Sequence, residues 1–113
     1  MATSKIQAKK TLLWTNTEPT SSFSAKTLSI DFSGYSKVEI EWCFNTSNSA
    51  YRLFNKVEVG TKGMLFTVRA QPFYTQYREV TINSNSAVFD NCVLGNGATY
   101  NDHVIPYKIY GIK

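Results

Sequence analysis

Apolar and polar residues alternate along much of this chain, which is the pattern of strands in a sheet with one wet face. In residues 37–44 every second side chain is apolar: Val38, Ile40, Trp42 and Phe44. Residues 27–32 repeat the pattern with Leu28, Ile30 and Phe32. No segment of helical length shows apolar residues at the spacing of a helix face. The pattern therefore predicts antiparallel strands and little or no helix.

About eight strands are predicted, separated by short connectors. Their ranges are 11–16, 27–32, 37–44, 51–59, 64–70, 77–83, 87–94 and 104–112. The turn compositions at 33–36, 60–63 and 83–86 favour hairpins between consecutive strands, and the Gly-Asn-Gly at 95–97 calls for a residue at positive φ. Pro106 indicates an edge or bulge position in the last strand. Regularly spaced strands without crossover helices predict a jelly-roll-like β-sandwich.

Composition limits the architecture to one folded domain. The chain has 113 residues, of which 42% are hydrophobic and 18% charged. We expect a single sandwich over residues 11–113, preceded by a flexible arm over residues 1–10, where the alternation is missing. The basic start lacks the apolar stretch of a secretory signal, so we expect folding in the cytoplasm of the producing cell and no membrane insertion.

Charge and cysteine content give no strong functional signal. The formal charge of +4 is spread along the chain, whereas a nucleic-acid groove would show clustered basic residues beside stacking aromatics. We therefore expect no nucleic-acid partner. Cys43 and Cys92 are the only cysteines, and a reducing compartment would keep both as structural thiols.

Residues that could support catalysis are sparse. His103 is the only histidine, and it follows Asp102 in a polar segment that predicts a surface loop. A metal site would need several ligands at short spacing, so we expect no metal and no cofactor. Glu39 and Glu41 could resemble a glycosidase pair, but their place on the polar face of a strand indicates a solvated surface. The sequence predicts a protein that is not an enzyme.

Tyrosines are the strongest candidates for binding residues. Several of the seven fall in polar or loop contexts, where they could either cover the ends of a sandwich or form a contact surface for protein or sugar. The candidate binding residues are the tyrosines in such contexts and the polar residues near them: Tyr74, Tyr77, Arg78, Tyr100 and Asp102.

Both ends of the domain resemble a known module. The segment from Leu13 to Tyr35, LWTNTEPTSSFSAKTLSIDFSGY, and the segment from Ile105 to Lys113, IPYKIYGIK, resemble the terminal module of bacteriophage and prophage virion proteins of Gram-positive bacteria. These are tail-fibre, minor structural or head-decoration proteins. The segment Tyr77-Arg-Glu-Val-Thr81 resembles the Arg-x-Val/Ile-Thr strand of that module. The module ordinarily ends a longer polypeptide, whereas this chain has Met1 shortly before Trp14.

This resemblance implies a structural protein of the virion, displayed as a tail-fibre tip or a capsid decoration. Its partners would be other virion subunits and a host-surface glycan or protein. Because projecting tips are commonly cyclic, a homotrimer is the favoured oligomer. Two alternatives stay open: a carbohydrate-binding module in which Tyr74, Tyr77 and Tyr100 stack on sugar rings, and a small barrel that binds single-stranded nucleic acid.

Overall fold

A computed structural model describes residues 9–47, 50–69 and 74–113, with the backbone alone at Val68, Arg69 and Tyr74. All regular elements in these residues are strands. They are β1 (Lys10–Thr15), β2 (Lys26–Ser29), β3 (Lys37–Asn45), β4 (Arg52–Glu58), β5 (Lys62–Arg69), β6 (Tyr74–Ile82), β7 (Ser86–Phe89), β8 (Val93–Leu94) and β9 (His103–Ile112). No helix in the described ranges is long and apolar enough to cross a membrane.

The strands form two antiparallel sheets that pack face to face. Sheet A has the order β1-β9-β3-β4, and sheet B has the order β2-β7-β6-β5, with β8 paired to β6 beyond the end of β7. β1, β2 and β3 alternate between the sheets, as in a jelly roll, while β3–β4, β5–β6 and β6–β7 are hairpins within one sheet. The predicted β-sandwich is confirmed.

The core lies between the sheets and follows the predicted alternation, except that Glu41 and Cys43 of β3 are buried as well. Val38, Ile40 and Trp42 of β3 are buried, as are Val80 and Ile82 of β6. Three aromatic rings, from the loops and from both sheets, meet at one end of this core with centroids 5.4–6.3 Å apart: Trp14, Phe23 and Phe89. Edge-to-face and tilted contacts at such distances are favourable because of the quadrupoles of the rings.

Two of the predicted hairpins are wrong. Residues 33–36 join β2 of sheet B to β3 of sheet A, and residues 60–63 join β4 of sheet A to β5 of sheet B. Both turns therefore carry the chain across the sandwich. Turn-forming residues reverse the chain, but they do not determine which sheet the next strand enters. The hairpin at residues 83–86 is confirmed, with Asn83 N donating to Ser86 O at 2.8 Å.

Other boundaries differ in detail from the prediction. The strand expected over residues 87–94 is divided into β7 and β8, which gives nine strands. Pro106 lies beside a register shift between β9 and β3, so the bulge interpretation is confirmed for this central strand. Gly97 has the predicted positive φ, at 91°. Of the expected arm, Lys10 belongs to β1, and residues 1–8 lie outside the described part of the chain.

Candidate binding site

A break in sheet B creates a notch on its outer face. β6 pairs with β7 from Val80 to Ile82 and with β8 at Gln76 and Tyr77. Between these two ladders the chain at residues 90–92 leaves the strand path. A single backbone hydrogen bond, from Asp90 N to Glu79 O at 3.0 Å, holds it beside β6. A strand that parts from its neighbour in this way leaves room for side chains and solvent.

The notch has a volume of about 300 Å³ and mixed walls. Tyr77 and Glu79 project from β6, because the residues that alternate with them, Gln76 and Arg78, are buried on the inner face. The residues lining the notch come from β6, β8 and three connectors: Ala25, Tyr77, Glu79, Asp90, Asn91, Val93 and Thr99. An aromatic ring, two carboxylates, an amide and a hydroxyl thus surround one small space.

Hydrogen bonds between residues 90–92 and their neighbours hold the walls of the notch in place. The guanidinium of Arg78 donates to Asp90 O at 2.7 Å. Asn91 Oδ1 accepts from Ala25 N at 2.8 Å and from Asn101 Nδ2 at 3.0 Å, and Asn101 Oδ1 accepts from Cys92 N at 2.8 Å. Because these bonds hold the connector to β6 and to the loop before β2, the site is formed before any ligand arrives.

The notch carries negative charge. Glu79 is paired with Lys62 at 3.2 Å, and both side chains are partly exposed, so this ion pair is a weak one. Asp90 is exposed, and no salt bridge among the described residues includes its carboxylate. The local field therefore opposes anionic ligands and favours hydroxyl, amide or cationic groups.

Apolar side chains flank the notch on β5. Phe66 is 52% exposed and lies directly across from Tyr77, while Met64 is 45% exposed and lies across from Glu79. On the other side of β6, Val93 is the neighbour of Tyr77. We call Met64, Phe66, Tyr77 and Val93 the apolar strip. Large apolar side chains that are adjacent and exposed mark surfaces suited to contact.

Of the four candidate residues whose side chains the structure describes, Tyr77 alone lines the notch. Arg78 is fully buried, so its proposed role on a binding surface is wrong. Its guanidinium donates to Val104 O at 2.8 Å and to His103 O at 3.2 Å, in addition to Asp90 O. Burial lowers the pKa of Arg78 to about 10. Arg78 lies two and four residues before Val80 and Ile82, so strand alternation points its side chain to the same inner face. This signal in the sequence would have predicted a buried Arg78.

Tyr100 and Asp102 lie away from Tyr77. The Tyr100 ring is stacked on His103 with centroids 4.4 Å apart, and His103 Nδ1 lies against Oε1 of the inward-facing Gln76. Asp102 accepts a hydrogen bond from the Ser22 hydroxyl. This group closes the end of the sandwich. The side chain of Tyr74 lies outside the described residues.

His103 is not the surface-loop residue that its polar neighbours predicted. It is the first residue of β9 and is only 7% exposed, between the rings of Tyr100 and Phe44. A second tyrosine also covers a sandwich end: the ring of Tyr35 lies over Gly111, where an added Cβ would be 2.6 Å from Cδ1. Covering of the ends thus accounts for Tyr35 and Tyr100, whereas Tyr77 lines the notch.

Two carboxylates on the outer face of sheet A, Glu39 and Glu41, form ion pairs. Glu39 lies 2.8 Å from Lys10 Nζ. Glu41 accepts from Arg52 Nε and from the Tyr110 hydroxyl, both at 3.1 Å, and is only 9% exposed, so the expectation of a solvated Glu41 is wrong. Burial, together with the Glu41 charge, raises the pKa of Tyr110.

The thiols are buried, and the described ranges show no metal cluster. Cys43 and Cys92 are both fully buried and form no disulfide. Burial raises the pKa of each thiol, which makes both poor nucleophiles. Within residues 9–47, 50–69 and 74–113, no group of three or more histidines, cysteines or carboxylates could hold a metal ion.

Comparison of the chain with protein-family models, with curated proteins and with solved structures gives no match. Sequence reasoning identified Tyr77 but missed the other polar residues of the notch, Glu79, Asp90, Asn91 and Thr99. No local motif marks them. Glu79 and Asp90 are opposite each other in the register of the β6–β7 hairpin, and Asn91 and Thr99 join them at the break between β7 and β8.

Proposed function

We propose that this chain is a displayed structural module of a bacteriophage virion that works by surface contact and carries out no reaction of its own. The resemblance of its two terminal segments supports a tail-fibre tip or a capsid decoration. Its partners on this proposal are other virion subunits and the host surface, and the favoured assembly is a homotrimer. A rigid sandwich with variable loops suits such display, because loop changes leave the core intact.

The apolar strip carries this proposal. Phe66 and Met64 expose large apolar side chains on the outer face of sheet B, next to the polar notch. Binding surfaces commonly combine aromatic anchors with a polar surround. We therefore place the contact surface on sheet B.

A carbohydrate-binding module is the second candidate, favoured by Tyr77 beside Glu79 and Asp90. Tyr77 and Tyr100 do not form one platform, because Tyr77 faces outward from sheet B, whereas Tyr100 stacks on His103 beside the inward-facing Gln76. A barrel for single-stranded nucleic acid is disfavoured, since two carboxylates beside the exposed aromatic would repel a phosphate backbone.

A matched pair of phenylalanines tests the contact surface. Phe66 of sheet B and Phe54 of sheet A are both 52% exposed. We expect Phe66→Ser to lower binding of the fluorescently labelled chain to host cells by about tenfold, the loss typical of a central aromatic anchor. Phe54→Ser should bind as the unaltered chain does. Equal binding by both variants would place the contact surface elsewhere.

Display on the virion has its own test. Gold-labelled antibodies raised against the chain should decorate intact particles purified from the bacterium that encodes it, and electron microscopy would show the position on head or tail. Particles that carry no label, although the chain is present in the same lysate, would contradict the virion proposal.

A further inference from the structure

We infer that the notch on the outer face of sheet B binds one ring of an uncharged saccharide, with Tyr77 as its apolar wall and Glu79, Asp90, Asn91 and Thr99 as its polar partners. This inference rests on the proposed function, because it names the ligand class for the same surface. It extends the carbohydrate alternative by giving a site, a charge preference and residues that the sequence did not indicate.

The size of the notch fits a single ring. Its volume of about 300 Å³ is at the small end of the range for ligand pockets. It is partly open to solvent, so a sugar at the end or side of a longer glycan could enter while the rest of the glycan stays outside the notch. A terminal or branching sugar unit is thus accommodated without any movement of the sheets.

Tyr77 supplies the apolar contact. A pyranose has one face rich in C–H groups, which carry partial positive charge, and the face of a tyrosine ring carries partial negative charge. Tyr77 lies between Phe66 on β5 and Val93 on β8, so its ring is part of the apolar strip. Pairing with β5 and β8 fixes the backbone position of Tyr77, so little conformational entropy is lost there on binding.

The polar groups match the hydroxyls of a sugar. Carboxylates of Glu79 and Asp90 accept hydrogen bonds, and such charge-assisted bonds are stronger than neutral ones. Asn91 uses its Oδ1 to accept from Ala25 N and Asn101 Nδ2, and no hydrogen bond among the described residues uses its Nδ2. That nitrogen can therefore donate to the ligand. A sugar hydroxyl both donates and accepts, so it can satisfy both kinds of group.

Charge selects the saccharide class. Lys62 partly neutralises Glu79, but Asp90 has no cation within salt-bridge distance among the described residues. A uronic acid, a sialic acid or a phosphate would therefore be repelled. A quaternary ammonium group would need several aromatic faces around it, whereas among the described residues Tyr77 is the one aromatic residue lining this notch. Such a group also has no N–H to donate to the carboxylates.

Titration of the isotope-labelled chain, followed by its amide NMR spectrum, tests this inference directly. The probes are methyl glycosides of glucose, galactose, mannose and N-acetylglucosamine, each raised to about 50 mM so that millimolar dissociation constants are detected. At least one should shift the amide signals of residues 77–79, 90–93 and 99 in a saturable way. Sialic acid, inorganic phosphate and choline should leave these signals unchanged.

Variants separate the roles of ring and charge. We expect Tyr77→Ala and Asp90→Asn each to weaken the best glycoside by about tenfold, and Tyr77→Phe to retain most of the affinity because the ring remains. The matched controls are Tyr51→Ala, which removes the most exposed tyrosine of the described residues, and Glu58→Gln on β4 of sheet A. Both controls should bind normally, and the amide spectrum of each variant reports whether it is folded.

Three results would overturn the inference: no shift with any neutral glycoside, shifts confined to residues outside the notch, or shifts with choline or an anion alone. Its failure is distinguishable from failure of the proposed function. If particles carry the chain but no glycoside shifts the amide signals, the saccharide site alone is contradicted. If a glycoside shifts the amide signals but particles carry no label, the virion role alone is contradicted.

Discussion

At the residue scale, the buried Arg78 joins the two sheets. Its guanidinium donates to two carbonyls of β9 in sheet A and to the carbonyl of Asp90 beside sheet B. The two β9 carbonyls belong to His103 and to Val104, and Val104 has φ of 50°, a strained conformation for a β-branched residue. Arg78 therefore stabilises this conformation at the start of β9 and the wall of the notch at the same time.

Replacing Arg78 should destabilise the fold. Arg78→Met removes the fork and leaves three carbonyl groups without their donor, and each unsatisfied buried group costs about 1–3 kcal/mol. Relief of the buried charge offsets part of this cost, so we expect a net loss of about 2–4 kcal/mol in the free energy of unfolding, measured in urea. The stability of Arg78→Lys should lie between that of Arg78→Met and that of the unaltered chain, because one ammonium group cannot reach all three carbonyl oxygens as the planar guanidinium does.

Lys56→Met is the control for Arg78, since Lys56 is exposed on β4 and its replacement should change the free energy of unfolding by no more than about 0.5 kcal/mol. An Arg78→Met chain as stable as the unaltered one would mean that the cost of burying the guanidinium equals the gain from its three hydrogen bonds.

At the scale of elements, β3, β4 and β9 share a polar network on the outer face of sheet A. Glu41 of β3 accepts from Arg52 of β4 and from Tyr110 of β9, and Lys10 of β1 lies over the Tyr110 ring at 4.6 Å. Four neighbouring strands are thus joined by side chains as well as by their backbone ladder.

This network predicts a pH dependence. Burial, with the added effect of the Glu41 charge, raises the pKa of Tyr110 above its ordinary value of 10. Below pH 10 the phenol is protonated in both the folded and the unfolded chain, so its contribution to stability is fully present. As the pH rises from 10 through the folded pKa, the unfolded chain ionises first and this contribution is lost.

The tyrosinate absorbance of the unaltered chain minus that of Tyr110→Phe should give a single titration with its midpoint above pH 10. In the Glu41→Gln background the midpoint should move down, because a negative neighbour is gone. A difference titration at or below pH 10 in the unaltered chain would contradict the network.

The strands were predictable from the sequence because alternation is a local property. Val38, Ile40 and Trp42 of β3 are buried as their spacing requires. The sheet that each strand joins depends on distant partners, which is why the turn at residues 33–36 predicted a hairpin that does not form. Glu79 and Asp90 are neighbours through the register of the confirmed hairpin, in which Val80 pairs with Phe89. The notch beside them was unpredictable, because it also needs Ala25 and Thr99, which are distant in the sequence.

At the scale of the whole molecule, the two sheets should unfold as one unit. Arg78 connects them through the core, and the rings of Trp14, Phe23 and Phe89 pack across them. Each sheet buries its apolar face only against the other, so neither has a core of its own. Small single domains of this kind commonly unfold in one cooperative transition.

The two cysteines report on this cooperativity, because Cys43 lies in sheet A and Cys92 lies beside β8 of sheet B. Both are fully buried, and burial raises the pKa of each thiol, so a disulfide reagent should reach them only when the chain opens. In native buffer we expect each thiol to react at least about 10³-fold more slowly than in the unfolded chain, in proportion to the unfolding equilibrium. In each single variant, Cys92→Ser or Cys43→Ser, the one remaining thiol should be protected to the same degree.

Rapid reaction of Cys92 alone would show that the β7–β8 region opens independently, and the notch would then be a mobile site instead of a preformed one.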